Sequence, residues 1–220
     1  MSQPSGTTPT PHVAERRALR HLEPEDPERS RRAPDAAVRA WHEFAESLAA
    51  PVRRPCRVLV TGPDALVRPV VSVVAGLVDA VGEWDGRRPV PAPDLLIGAL
   101  PWRYEAIGDV PDLPGPLIGP RPAVLPLAFT SRTVTVGPVA GAGGPCPDCV
   151  HPAFAAATVR PETPVAPALH AFAAGAAGLF VRSFTASNVN ALSMSLTFDI
   201  AAPQVEHRLW SCTASCRRAA

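Results

Sequence analysis

Residues 133–152 read TVTVGPVAGAGGPCPDCVHP, and this stretch decides how the rest of the chain is interpreted. The alternation of polar and branched apolar residues over 133–139 predicts a β-strand. A glycine-rich turn follows at 141–144, and Cys146 and Cys149 then form a C-x-x-C pair. A tight turn after a strand suits metal binding, because a two-residue spacer lets both thiolates reach one ion at about 2.3 Å.

A second cysteine pair, Cys212 and Cys216, has the spacing C-x-x-x-C. Together the two pairs would offer four thiolates, which close a tetrahedral site and leave no position for a substrate. The sequence therefore predicts one structural zinc ion per chain, bound by Cys146, Cys149, Cys212 and Cys216 and coupled to folding.

Two alternatives to zinc stay open: a redox pair at Cys146 and Cys149, or free thiols. A redox C-x-x-C normally opens a helix within a βαβ pattern, and no such pattern precedes this one. Cys56 stands apart from both pairs, immediately before a predicted strand, and we expect it to be a buried apolar residue.

The composition excludes several kinds of chemistry. All 21 basic residues are arginine, so the chain can provide neither a Schiff-base lysine nor a P-loop lysine. The formal net charge of +1 indicates neither a nucleic-acid nor a membrane partner. We find no signal peptide and no apolar run of about 20 residues, so we expect a soluble, cytoplasmic protein whose cysteines bind metal rather than form disulfides.

The chain divides into three predicted parts. Residues 1–34 are rich in Pro, Ser, Thr, Arg and Glu and should form a disordered tail. Residues 35–55 should form a helix, over 35–49, and a linker. Residues 56–217 should form the folded domain.

Strands and helices follow one another in the predicted domain, which indicates an α/β fold with a small mixed sheet and flanking helices. Asp64 is a candidate N-cap, and Gly175 and Gly178 suggest close packing of a helix. The predicted strands are 57–61, 94–100, 122–129, 133–139, 190–200 and 205–210, and the predicted helices are 64–80 and 167–181.

Other candidate sites have weaker signals. Gly62-Pro63-Asp64 lies between a strand and a helix, where a dinucleotide loop would sit, but G-x-G-x-x-G is absent and Pro63 lacks an N–H for a phosphate. His151 could substitute for a cysteine ligand, although a solvated role suits it better. Trp210 should pack over the metal site, and residues 102–104 could form a contact surface.

The stretch 133–152, with the strand at 94–100 before it and a cysteine pair after Trp210, resembles a known family. This family is the ThiF-like (E1-like) proteins of azole- and azoline-modified peptide (TOMM) biosynthesis, which accompany YcaO cyclodehydratases. The matching elements are Val136-Gly137-Pro138, Pro145, Cys146, Cys149, Trp210, Cys212 and Cys216, and the resemblance covers roughly 56–217.

The resemblance implies a reduced ThiF/E1-like, Rossmann-like mixed sheet with a four-cysteine zinc knuckle. It implies a non-catalytic scaffold that presents a precursor peptide to a YcaO cyclodehydratase or docks with that enzyme, and it leaves a homodimer open. The chain departs from the family in having only a short segment at 81–94 where adenylating relatives hold their site, and no winged-helix domain in 1–55. Two alternatives therefore remain: a diverged ATP-dependent adenylating enzyme and a general zinc-bearing interaction domain.

Overall fold

In the computed structural model, the described residues are 39, 41–46, 55–83, 93–99, 122–141, 143–147, 149–150, 165–212 and 216. Residues 39 and 41–46 are helical, in agreement with a helix over 35–49, while the predicted tail at 1–34 lies outside the described part. The elements that follow are β1 (Arg57–Thr61), α1 (Asp64–Val74), β2 (Ala80–Glu83), β3 (Leu95–Ala99), β4 (Ala123–Phe129), β5 (Thr133–Val136), α2 (Pro167–Ala186), α3 (Val189–Leu192), β6 (Met194–Asp199) and β7 (Gln204–Leu209).

The strands form one seven-stranded mixed sheet in the order β2-β1-β3-β4-β5-β6-β7. The four strands from β2 to β4 are parallel. The strands from β4 onwards pair antiparallel. The predicted α/β class with a mixed sheet is therefore confirmed for the described part of the chain.

The main core lies between the sheet and two helices, α1 and α2, which pack against each other. Alternate residues of β1, Val58 and Val60, join this core together with Val70 of α1 and Phe180 of α2. All seven residues of β4 are buried, as expected for a strand inside a sheet whose faces are both covered.

Helix α1 ends earlier than the sequence predicted. It stops at Val74 rather than continuing to Ala80, and Ala80 instead begins β2, a strand we did not predict. β2 is a partly exposed outer strand with the sequence AVGE, so it has neither an apolar run nor a clear alternation. Asp64 is the first helical residue and not the cap, because Pro63 occupies the N-cap position without a side-chain hydrogen bond.

The predicted strand over 190–200 is also wrong at its start. Residues Val189–Leu192 form α3, and β6 begins only at Met194. The helical segment 41–46 accounts for the helix at Val189–Leu192, because it carries Glu43. The Glu43 carboxylate accepts hydrogen bonds from the Ala191 N–H, at 2.8 Å, and from the Asn190 side chain. A carboxylate at a helix N-terminus satisfies N–H groups that have no partner within the helix.

We expect Glu43→Ala to lower the free energy of unfolding by about 1–2 kcal/mol, because it removes the acceptor for the first turn of α3. Chemical denaturation would measure this change. Glu46→Ala is the matched control, since Glu46 lies on the same helix and is exposed, and it should change stability by less than about 0.5 kcal/mol. Equal effects of the two substitutions would contradict the capping role.

The two glycines of α2 differ in their surroundings. A Cβ added at Gly178 would lie 2.9 Å from Val73 Cγ1, so this glycine permits the close approach of α1, as the sequence suggested. A Cβ added at Gly175 would meet nothing within 4 Å, so the expectation of close packing is wrong at that position.

This difference predicts opposite effects of the same substitution on one helix. Gly175→Ala should stabilise the protein by about 0.5–1 kcal/mol, since alanine has the higher helix propensity. Gly178→Ala gains the same propensity but must displace Val73, so it should destabilise by about 1 kcal/mol or more. Thermal unfolding of both variants tests this, and stabilisation by both would contradict the described packing of α1 on α2.

Candidate metal centre

The turn that carries the first cysteine pair is closed by backbone hydrogen bonds. Gly141 N–H donates to the Pro145 carbonyl at 2.9 Å, and Gly144 N–H donates to the Gly141 carbonyl at 2.9 Å. Gly141 and Gly143 have φ angles of 85° and 96°, in the left-handed region that glycine adopts without steric cost. Ala140 also pairs with Val124 of β4, so the turn starts from a fixed point on the sheet.

Cys146 directly precedes a helical segment that includes residues 147, 149 and 150. Its carbonyl accepts hydrogen bonds from Cys149 N–H at 3.1 Å and from Val150 N–H at 3.3 Å. A spacing of three residues in a helical turn places both side chains on the same side, so the C-x-x-C pair can face one point.

The second cysteine pair is delivered by the end of β7. Trp210 N–H continues the β6–β7 ladder by donating to the Ser193 carbonyl at 2.8 Å, and the indole Nε1–H donates to Ser195 Oγ at 2.8 Å. Trp210 packs against a small buried cluster of Ala128, Ala140 and Val150, and Val150 lies next to Cys149 in the chain. Trp210 thus lies beside the cysteine cluster, close to where the sequence predicted, whereas Ser195 as its buried partner was not predicted.

The structure brings the two cysteine pairs together. The sulfurs of Cys146, Cys149, Cys212 and Cys216 all lie within 4.8 Å of one another. Cys146 Sγ lies 3.2 Å from Cys216 Sγ, and Cys146 N–H donates to Cys212 Sγ at 3.3 Å. Residues that are 66 and 70 positions apart in the chain therefore meet at one point.

The local electrostatics oppose a bare thiolate at this point. Burial raises the pKa of Cys146 to about 12, and hydrogen bonding to Cys216 reinforces the shift. A divalent cation reverses this preference, because a thiol that coordinates a metal is deprotonated. The N–H···S bond from Cys146 to Cys212 would also stabilise a metal-bound thiolate.

The donor set fits a metal ion. Four sulfurs bound to zinc at about 2.3 Å in a tetrahedron would lie about 3.8 Å apart, within the separation that the structure shows. A set of four sulfurs is the donor set of structural zinc or of an iron–sulfur cluster. A redox C-x-x-C acts as a pair, so the presence of Cys212 and Cys216 at the same point favours the metal interpretation over the redox one.

The turn at Gly62-Pro63 lies at the carboxyl end of β1. Because β1 has β2 on one side and β3 on the other, a nucleotide in an open α/β sheet would sit near this end. Pro63 has no N–H to offer, and the Asp64 carboxylate in the first turn of α1 would repel a phosphate there. Arg68 lies 3.5 Å from Asp64, but both side chains are largely exposed.

The structure describes only some of the remaining candidate residues. Cys56 is 2% exposed and belongs to the main core, as predicted. On α2, the ring of the half-buried His170 contacts Phe129 edge-on, and burial lowers the pKa of His170. His151 and residues 102–104 lie outside the described part of the chain.

The fold and the cysteine cluster define a class: an α/β protein with a mixed sheet whose last strand ends at a four-cysteine site. Solved structures share this fold. One is a chain of the E. coli microcin synthetase McbBCD complex, with a TM-score of 0.54, 12% identity, and coverage of 98% of this chain and 92% of that chain.

Two further structures have a TM-score of 0.50. E. coli MccB with selenomethionine-labelled MccA is 11% identical and covers 80% of this chain and 68% of its own. A heterocyclase in complex with substrate and cofactor is 13% identical and covers 94% of this chain, which spans only 30% of the heterocyclase. No family model and no curated protein sequence matches the chain, so the likeness is one of fold.

Proposed function

We propose that this chain is a zinc-stabilised, E1-like scaffold in the biosynthesis of a ribosomally made, modified peptide. The observation that carries the proposal is the match to a chain of a microcin synthetase complex over 98% of this chain and 92% of that one. Because the match extends over nearly the full length of both chains, it favours two subunits of the same kind over two proteins that share only a sheet.

Zinc would act as a structural ion, one per chain, held by Cys146, Cys149, Cys212 and Cys216. The ion would crosslink the four cysteines and would not catalyse a reaction, since the four thiolates leave no open coordination position. In this position it joins the end of β7 to the turn after β5. The cytoplasm, where thiols stay reduced, is the compartment that suits such a site.

The turn at Gly62-Pro63 supports a scaffold role over a catalytic one. Adenylation requires positive groups and backbone N–H groups around the phosphates, and this turn provides a proline and an acidic residue in their place. The chain contains no lysine that could compensate.

The proposed partners are a precursor peptide and a YcaO-type cyclodehydratase. The relatives of similar fold include MccB solved with MccA and a heterocyclase solved with its substrate. The domain that would carry these contacts is 56–217. The described part of the chain contains no helix long and apolar enough to cross a membrane.

The test is reconstitution of heterocycle formation. A YcaO enzyme and a candidate precursor peptide would be incubated with ATP, with and without the purified protein. Loss of one water per heterocycle, measured by mass spectrometry, should depend on this chain, and the purified protein should retain one or both partners in a pull-down. Full activity without it, with neither partner retained, would contradict the proposal.

A second candidate function is adenylation at the Gly62 turn, favoured by the position of that turn at the end of β1. ATP–pyrophosphate exchange with the same precursor discriminates between the two. Exchange by this chain alone would establish the enzyme, and no exchange together with no ATP binding would remove it.

A further inference from the structure

The connection between the sheet and the second cysteine pair is short. Trp210 N–H continues the β6–β7 ladder past Leu209 by donating to the Ser193 carbonyl at 2.8 Å. The exposed Ser211 then separates Trp210 from Cys212. The direction in which the chain leaves the sheet at Trp210 therefore determines where the Cys212 sulfur can lie.

The Trp210 side chain lies on the face of the sheet opposite the main core. Met194 and Leu196 of β6 belong to that core, and side chains alternate along a strand, so Ser195 faces the other way. Ser195 is the register partner of Arg208 in β7, and Trp210 lies two residues beyond Arg208. Ser195, Arg208 and Trp210 therefore share one face.

Three of the contacts of the Trp210 indole limit its position. The Nε1–H donates to Ser195 Oγ at 2.8 Å. The Arg208 guanidinium lies 4.3 Å from the centroid of the ring, within cation–π range, and Trp210 also packs against the cluster that contains Val150. Only the hydrogen bond is strongly directional, so it fixes the rotation of the ring. Ser195 is 2% exposed, which shields this bond from water.

The indole connects the two halves of the cysteine cluster without the metal. Its backbone leads to Cys212 through one residue, and Trp210 packs against Val150, which follows Cys149 in the chain. Ligands that are held in place beforehand lower the ordering cost of binding. Groups that orient metal ligands from outside the coordination shell raise metal affinity for this reason.

We infer that Ser195 and Trp210 are positioning residues of the zinc site. The hydrogen bond from Trp210 to Ser195 fixes the indole, and the indole holds Cys212 and Cys149 in the relative positions that four-sulfur coordination requires. Neither residue is itself a ligand. The inference rests on the proposed zinc site, and it is measured on the purified chain without precursor peptide or YcaO enzyme.

The first test is the zinc affinity of Ser195→Ala. In competition with a zinc chelator, the zinc-loaded variant should bind the ion about tenfold or more weakly than the wild type. X-ray absorption at the zinc edge should still show four sulfur ligands, because Ser195 does not coordinate. A changed ligand shell, or an unchanged affinity, would overturn the inference.

Ser193→Ala is the matched control, since it removes a hydroxyl only two residues away. Ser193 Oγ donates to the Val189 carbonyl at 3.2 Å, and the backbone carbonyl that accepts from Trp210 is retained in the variant. Its zinc affinity should equal that of the wild type. Weakening of zinc binding to the same extent as in Ser195→Ala would contradict a role for the Ser195 hydroxyl in particular.

A second control separates positioning from a general loss of stability. Val70 of α1 is 1% exposed and belongs to the main core, on the other face of the sheet, so Val70→Ala creates a cavity and lowers stability away from the cysteines. At a temperature where circular dichroism shows each variant to be folded, Val70→Ala should bind zinc as tightly as the wild type. Equal weakening by Val70→Ala and Ser195→Ala would mean that zinc affinity follows stability alone.

A double-mutant cycle tests whether Ser195 acts through the indole. Trp210→Phe removes the Nε1–H and retains an aromatic ring, and Ser195→Ala should have little further effect on zinc affinity in that background. Effects that multiply in the double variant would overturn this route. Zinc in the wild type with unchanged affinity in Ser195→Ala would overturn this inference alone, whereas a wild type without zinc would remove the zinc site and the inference together.

Discussion

Replacing Cys212 by serine should release the metal ion and lower the free energy of unfolding by about 3 kcal/mol or more. Binding of a structural zinc is coupled to folding, so losing one of four ligands removes much of its stabilisation. Cys212 follows β7 and is hydrogen-bonded through its sulfur to the backbone of Cys146, so its loss also frees the outer strand from the turn after β5. Denaturant unfolding, with zinc content measured on the same samples, checks both effects.

Cys56→Ser is the matched control for this substitution. Cys56 is buried in the main core and lies outside the four-cysteine cluster. Its replacement should leave zinc content unchanged and cost only the burial of a hydroxyl, about 1–3 kcal/mol. Retention of zinc by Cys212→Ser, or loss of zinc by Cys56→Ser, would contradict the assignment of ligands.

Gly144→Ala should destabilise the protein by about 3 kcal/mol or more and weaken zinc binding. A Cβ on residue 144 would lie 2.1 Å from the Val139 carbonyl oxygen and 3.3 Å from the Gly141 carbonyl oxygen. These are backbone atoms, so no rotation of a side chain can relieve the contact. The turn must open, and Cys146 lies directly after it. Thermal unfolding and competition with a zinc chelator measure the two consequences.

Gly141→Ala provides the comparison within the same turn. The nearest atom to its added Cβ is Ala123 Cα at 3.8 Å, an ordinary contact, so the cost comes only from the positive φ of 85°. That conformation costs about 1–2 kcal/mol for a residue with a Cβ. If Gly144→Ala proved no worse than Gly141→Ala, the described path of the turn would be incorrect.

The strands with a clear apolar run or alternation were predictable from sequence. β1, β3 and β4 were identified within one or two residues because strands that are buried on both faces consist of continuous runs of apolar residues. Strand β2 was missed because its four residues are partly exposed and lie on the outer edge of the sheet. Helix α3 was missed because its cap, Glu43, comes from a distant segment of the chain.

The four candidate ligand residues could be predicted from the sequence, but their meeting at one point in the fold could not. Spacing alone identified two pairs of candidate ligands, because thiolates two or three residues apart can reach one ion. Their meeting depends on the antiparallel register of β5, β6 and β7, which carries the chain from the first pair to the second. The backbone donor to Cys212 and the Ser195 partner of Trp210 depend on the same register, and local sequence carries no signal for either.

The central claim is that four cysteines bind one zinc ion that links the last strand to the turn after β5. The most direct test is zinc analysis of protein purified without added metal, followed by X-ray absorption at the zinc edge. The account predicts one zinc per chain with four sulfur ligands at about 2.3 Å. Absence of zinc, or a shell that contains nitrogen or oxygen ligands in place of any sulfur, would contradict it.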